Sequence, residues 1–199
     1  PWPMKWVALA IVACIVPYTW LTLAFRKEGP SYQPYEDSKQ RANVIRLLNA
    51  GFQRLNVSAE RPADPQLLVR AMKDLATVTP APGGLSPTLT QTLVEIPQLP
   101  LSFSSVSAPG ETAFALPYPV VFTCTLADQK HQLGGAQVFV RSKSVVIVPQ
   151  FEPLSGELTA RSKESPVLIT LPGGALKPGS YTLLIAGSDQ SRQWTLTVR

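Results

Sequence analysis

The chain has 199 residues, a formal net charge of +5, only 16% charged residues, 20 prolines and two cysteines. That length leaves room for one modest domain once an anchor and a connector are subtracted, and proline at twice the usual level of about 5% excludes a helical bundle and a charged disordered tail alike. Basic residues outnumber acidic ones by nine to six over 26–87 and by eight to seven over 88–199; no dense basic run interleaves with aromatics, so the excess suits anionic lipid headgroups and excludes a nucleic-acid surface.

Between Lys5 and Arg26 lie twenty uncharged residues. At about 1.5 Å per residue they cover the ~30 Å hydrocarbon core of a bilayer. Trp6 at one end and Tyr18, Trp20 and Phe25 toward the other suit headgroup depth, with Lys5, Arg26 and Lys27 at the boundaries. A cleaved signal peptide has a shorter apolar core and small residues at its cleavage point, which Thr22-Leu23-Ala24-Phe25-Arg26 does not offer. Nothing else in the chain is apolar enough to wrap a helix that is hydrophobic on every side. We therefore expect residues 1–27 to be a retained, single-pass transmembrane anchor. Pro17 removes a backbone donor and should kink it, with Thr19 and Thr22 as candidates to bond the freed carbonyl. Ala10 and Cys14 stand four apart, a small-residue spacing that lets a neighbouring helix approach.

Arg26, Lys27, Lys39 and Arg41 outnumber Lys5 near the span, which favours a cytoplasmic body. The kind of domain that follows is commoner outside the cytoplasm. We expect the N-terminus inside and the C-terminal body outside, periplasmic if the source is bacterial.

Residues 28–76 are expected to hold a connector and two amphipathic helices. Residues 28–35 (EGPSYQPY) read as an extended Gly/Pro/Tyr connector. Over 36–55, Val44, Ile45, Leu48, Phe52 and Leu55 recur at helical intervals, with Asp37 or Ser38 as cap. Asn56-Val57-Ser58 matches the N-glycosylation acceptor pattern, but Asn56 is read as the residue that ends this helix. Asp64-Pro65 then opens a shorter helix, with Leu67, Leu68, Ala71, Met72 and Leu75 on one face. The two helices are expected to pair as a hairpin. Residues 77–88 (TVTPAPGGLSPT) read as a Pro/Gly linker and domain boundary.

From Leu89 onward the chain consists of short β-like runs between turn signals: TLVEI, LSFSSVS, ETAFAL, PVVFTCTL, AQVFVRS, SVVIVPQF, GELTA, PVLITL, SYTLLIAG and RQWTLTVR. Residues 89–199 are expected to form an all-β sandwich. The turn Leu176-Lys177-Pro178-Gly179-Ser180 leading into Tyr181, with Trp194 on the final run, resembles the entry to the penultimate strand of immunoglobulin-like and fibronectin-like sandwiches. The cysteine pair of antibody domains is absent, because Cys14 lies in the span and Cys124 in a strand-like run. The resemblance implies a fold and carries no function.

Catalytic chemistry is not legible. His131, the single histidine, lies near Asp128 without a second ligand or a nucleophile at a specific spacing. Gly134-Gly135 and Gly173-Gly174 lack any phosphate-binding pattern and read as turns. Asp128, Glu152 and Glu157 have no motif that joins them. No enzyme, metal, cofactor or small-molecule substrate is expected. The expectation is a non-catalytic accessory or assembly subunit of a larger membrane complex, with respiratory or other electron-transfer complexes as the first partner class to test. Integral membrane subunits and the bilayer would be met through Ala10, Cys14, Trp20, Val44, Leu48 and Phe52. The alternative is a membrane-tethered module that recognises an envelope polymer, a peptide or a cell-surface partner.

Overall fold

The computed structural model describes residues 3–24, 34–154, 156 and 158–199. It divides into two compact units, Pro1–Ser38 and Lys39–Arg199.

In the first unit, helix α1 (Met4–Ala24) is a single 21-residue helix that runs unbroken through Pro17 and buries no side chain. It is long and apolar enough to cross a membrane. The Thr22 hydroxyl donates to the carbonyls of Tyr18 and Thr19 at 3.0 and 2.9 Å. It therefore bonds within its own turn, not to the Ala13 carbonyl that Pro17 cannot reach. The expected boundary residues Phe25, Arg26 and Lys27, and residues 28–33 of the expected connector, lie outside the described residues.

The second unit is mostly β-sheet. Its elements are the C-terminal part of α2 (Pro34–Asn49), β1 (Gln53–Val57), β2 (Ala59–Glu60), α3 (Pro65–Ala71), β3 (Thr79–Pro82), α4 (Pro87–Thr92), β4 (Ser102–Ser107) and β5 (Glu111–Thr112). They continue through β6 (Tyr118–Thr125), β7 (His131–Arg141), β8 (Ser144–Pro153), β9 (Glu164–Leu171), β10 (Gly179–Ile185) and β11 (Gln190–Val198). One sheet has the order β1-β7-β8-β10-β11-β3, with β5 also on β11; the other has the order β2-β9-β6-β4.

The two sheets share one core. Val120, Phe122, Val167 and Ile169 from the smaller sheet meet Val138, Val145, Ile147, Leu183 and Leu196 from the larger. Phe103 and Phe122 pack edge to face with centroids 5.7 Å apart. Trp194 Nε1 donates to the Tyr118 hydroxyl at 2.9 Å, and that hydroxyl donates to the Pro109 carbonyl at 2.8 Å. The tyrosine that ties core to backbone is thus Tyr118. Tyr181, which the sandwich resemblance singles out, is buried on β10. Two pairings are parallel, β8 with β10 and β5 with β11, unlike the two antiparallel sheets that the resemblance implies.

Several boundaries differ from the sequence expectations. Helix α2 begins at Pro34, so neither Asp37 nor Ser38 precedes it, and it ends at Asn49. Phe52 N–H bonds the Leu47 carbonyl and Gly51 N–H bonds the Leu48 carbonyl, with Gly51 at φ +78°. This is a Schellman closure, completed by Leu47 and Phe52 meeting in one apolar cluster. Asn56 therefore ends no helix; it lies exposed on β1, opposite Gln137. Asp64 does cap α3, accepting from Gln66 and Leu67 N–H at 3.0 and 3.1 Å. Leu75 lies beyond the end of α3, and Leu67 is exposed. Helices α2 and α3 form no hairpin, because α3 packs against β6 and β9 while α2 packs on the other sheet.

Residues 77–88 do not divide two domains. Thr79–Pro82 is an edge strand antiparallel to β11, where Pro80 and Pro82 need supply no ladder donor on the open side. Gly83 then passes so close to the Ser188 carbonyl that a Cβ would lie 2.2 Å from its oxygen. Ser86 caps α4 by accepting from Leu89 N–H. Of the expected β runs, TLVEI holds the end of α4 and irregular chain, ETAFAL gives only β5, and the described residues of GELTA form no strand. Gly134-Gly135 sits at a bulge inside β7 rather than in a turn.

Tyr118→Phe strands both the Trp194 N–H and the Pro109 carbonyl. It should lower stability by about 1–3 kcal/mol, read as an earlier denaturant midpoint of the detergent-solubilised chain.

Candidate functional site

Strand β8 buries Val145, Val146, Ile147 and Val148 in succession. Side chains alternate along a strand, so Val145 and Ile147 enter the core between the sheets while Val146 and Val148 leave by the outer face. That outer face, with Phe139 and Ala186, is covered by Leu47 of α2, Phe52, and Leu89 and Leu93 from α4 and the residue after it. Arg141 lies over the Phe52 ring, 5.2 Å from its centroid. The Asn43 side chain accepts from Val94 N–H at 3.4 Å, and Lys39 pairs with Glu95. Residues 39–49 of α2 are thereby fixed to the β body.

The other side of α2 is apolar as well. Val44, Ile45 and Leu48 are 37%, 58% and 61% exposed, whereas Phe52 is 4% exposed. Of the expected contact residues, Val44 and Leu48 share an accessible face and Phe52 does not, because it is sealed under Arg141 against the larger sheet. On α1, Ala10, Cys14 and Trp20 are all exposed. At about 100° per residue, Ala10 and Cys14 share a face and Trp20 stands roughly 80° from Ala10 in the other direction.

A groove of about 530 Å³ lies between α3 and the outward face of the smaller sheet, lined by Gln66, Val69 and Arg70 on one side and Ser105, Ser107 and Thr123 on the other. The Ser105 hydroxyl donates to the Thr123 hydroxyl at 3.1 Å. Its lining alternates with the core positions Val106 of β4 and Phe122 of β6, and includes Val121 beside the hydroxyl residues.

His131 and Asp128 do meet. His131 Nδ1 lies 2.8 Å from Asp128 Oδ1, and Lys130 N–H donates to the same oxygen at 2.8 Å. The imidazole and that backbone donor hold the Asp128 carboxyl below the usual carboxylate range. Glu152 lies across the ladder from Gln132, one step along from His131; Glu157 lies outside the described residues. Among the described residues no group of three or more His, Cys, Asp and Glu is placed to hold a metal. Cys124 is buried, and its thiol is pushed up to about 11 by that burial.

Comparison with protein-family models, with curated proteins and with solved structures finds no match.

Truncation should separate the two sides of α2. Phe52→Ala should cost about 3–5 kcal/mol as a core deletion, whereas Leu48→Ser should change stability by no more than about 0.5 kcal/mol, both read from denaturant midpoints. The Asp128–His131 pair has its own signature. A carboxyl depressed in the fold adds stability above its unfolded pKa and loses it as the pH falls through the folded value. By carbon-detected NMR, Asp128 should titrate below the usual ~3.9, and His131→Ala should raise that midpoint.

Proposed function

We propose that this chain is a non-catalytic, single-span accessory or assembly subunit of a larger membrane complex. The observation that carries this reading is α1, whose apolar surface is exposed along all 21 residues, joined in sequence to a β-rich body. In this reading α1 is retained as the anchor and meets neighbouring spans through Ala10, Cys14 and Trp20. The body lies outside the cytoplasm and covers a partner's exposed surface. We read the body as a variant of the immunoglobulin-like sandwich. Its two facing sheets and the closing β10–β11 hairpin with Trp194 support that reading, while the parallel β8–β10 pair sets it apart.

A second reading is favoured by the groove under α3, whose size suits a small ligand or a side chain of a larger one. It makes the protein a membrane-tethered recognition module for an envelope polymer, a peptide or a cell-surface partner.

Purification of the full chain from native membranes in mild detergent distinguishes the two. The accessory reading predicts stoichiometric co-purification of integral membrane proteins, with electron-transfer subunits the first class to seek. A lone monodisperse chain that binds a soluble ligand, and loses it on Arg70→Glu, contradicts it and favours the second reading.

A further inference from the structure

We propose that the outer face of α2 lies in the headgroup region of a bilayer, as a second membrane contact beside the anchor; this rests on the reading of α1 as a retained span. Helix α2 is apolar on two sides. One side is engaged, with Leu47 buried and Asn43 bonded to Val94. On the side turned away from these, Val44, Leu48 and Ile45 fall within an arc of roughly 100°, with Arg41 inside it. Exposed apolar side chains on a helix whose packing is already satisfied by another face contribute nothing to the body's own core.

Three observations favour lipid over protein as what covers this face. It consists of three apolar side chains, whereas a stable protein interface takes about 20–30 residues a side; shallow seating at an acyl–headgroup boundary needs only an apolar stripe beside basic groups. The charge of α2 leans basic, as anionic lipid favours: Lys39, Arg41 and Arg46 outnumber Glu36 and Asp37, and of these Arg41 and Asp37 share the arc while Arg46 is exposed outside it. The chain is also tethered. Nine residues, 25–33, separate α1 from α2, and at no more than about 3.6 Å each they extend no further than about 32 Å. With α1 in a bilayer, the contact is intramolecular in effect, so an interaction too weak to hold a free helix is populated. Because residues 39–49 are fixed to the β body, seating this face would set how the whole body sits above the lipid.

The full chain, carrying Cys14→Ala to remove the exposed thiol, is reconstituted without other proteins into vesicles of phosphatidylcholine and phosphatidylglycerol. Nitroxides are attached one at a time at Val12→Cys, Ile45→Cys, Leu48→Cys and Lys143→Cys, and their accessibility to oxygen and to a neutral nickel chelate is compared. The proposal expects oxygen-over-nickel ratios at 45 and 48 several-fold above that at 143, and a deeper, higher ratio at 12. Ratios at 45 and 48 equal to that at 143, with 12 still lipid-buried, overturn the proposal and leave the anchor standing. An aqueous ratio at 12 overturns both. Labels at 45 and 48 that are closed to both reagents place the face against another copy of the protein and overturn the lipid assignment.

Discussion

Val146 and Val148 point out of the sandwich and are nevertheless buried, and that requirement organises the second unit. The larger sheet is apolar on both faces at β7, β8 and β10, as central strands covered on both sides are. A sheet with such an outer face cannot stop at two layers in water, because every uncovered Val or Phe would forfeit roughly 25 cal/mol per Å² of apolar surface. Leu47, Phe52, Leu89 and Leu93 supply the third layer. The covering helix is the one that follows the apolar α1 in sequence.

This cover decides what α2 has left to offer. The Schellman closure at Gly51 turns the chain so that Phe52 packs beside Leu47 and β1 can enter the ladder beside β7. Strand β2 then joins the other sheet, so residues 53–60 stitch both layers to the helix. With one face of α2 committed and its axis fixed, Val44, Ile45 and Leu48 become a defined surface and not the spare side of a loose helix. Among the described residues, α1 and this face of α2 are two places where apolar side chains stay exposed together, beside others such as Leu67, Ile96, Phe114 and Leu116.

Much of this was legible in the sequence, for reasons that can be named. The twenty uncharged residues after Lys5 read as one helix, and Asp64-Pro65 read as a cap and first turn, because both signals are local. The runs containing PVVFTCTL, SVVIVPQF, PVLITL and RQWTLTVR read as strands through their β-branched and aromatic content. What failed depended on tertiary partners. Phe52 and Leu55 continue a helical period by coincidence, and the stop lay in Asn49-Ala50-Gly51, where glycine accepts the left-handed turn. TVTPAPGG reads as a linker from composition alone; only its pairing with β11 makes it a strand. Val145 to Val148 are four apolar residues in a row, as a strand covered on both faces carries, but the run by itself reads only as a strand and does not say what covers it. The outward face of β4 and β6, with Val121 among its hydroxyl residues, became a groove only because α3 crosses it, and no local pattern announces that.

We propose that α1, long and apolar enough to cross a membrane, remains part of the mature chain and holds it in a bilayer. Alkaline carbonate extraction of membranes from cells expressing the full chain, with intact mass of the recovered protein, tests this directly. A retained α1 keeps the protein in the membrane pellet, with α1 present in its mass. Recovery in the supernatant, or a mass that lacks α1, would contradict it.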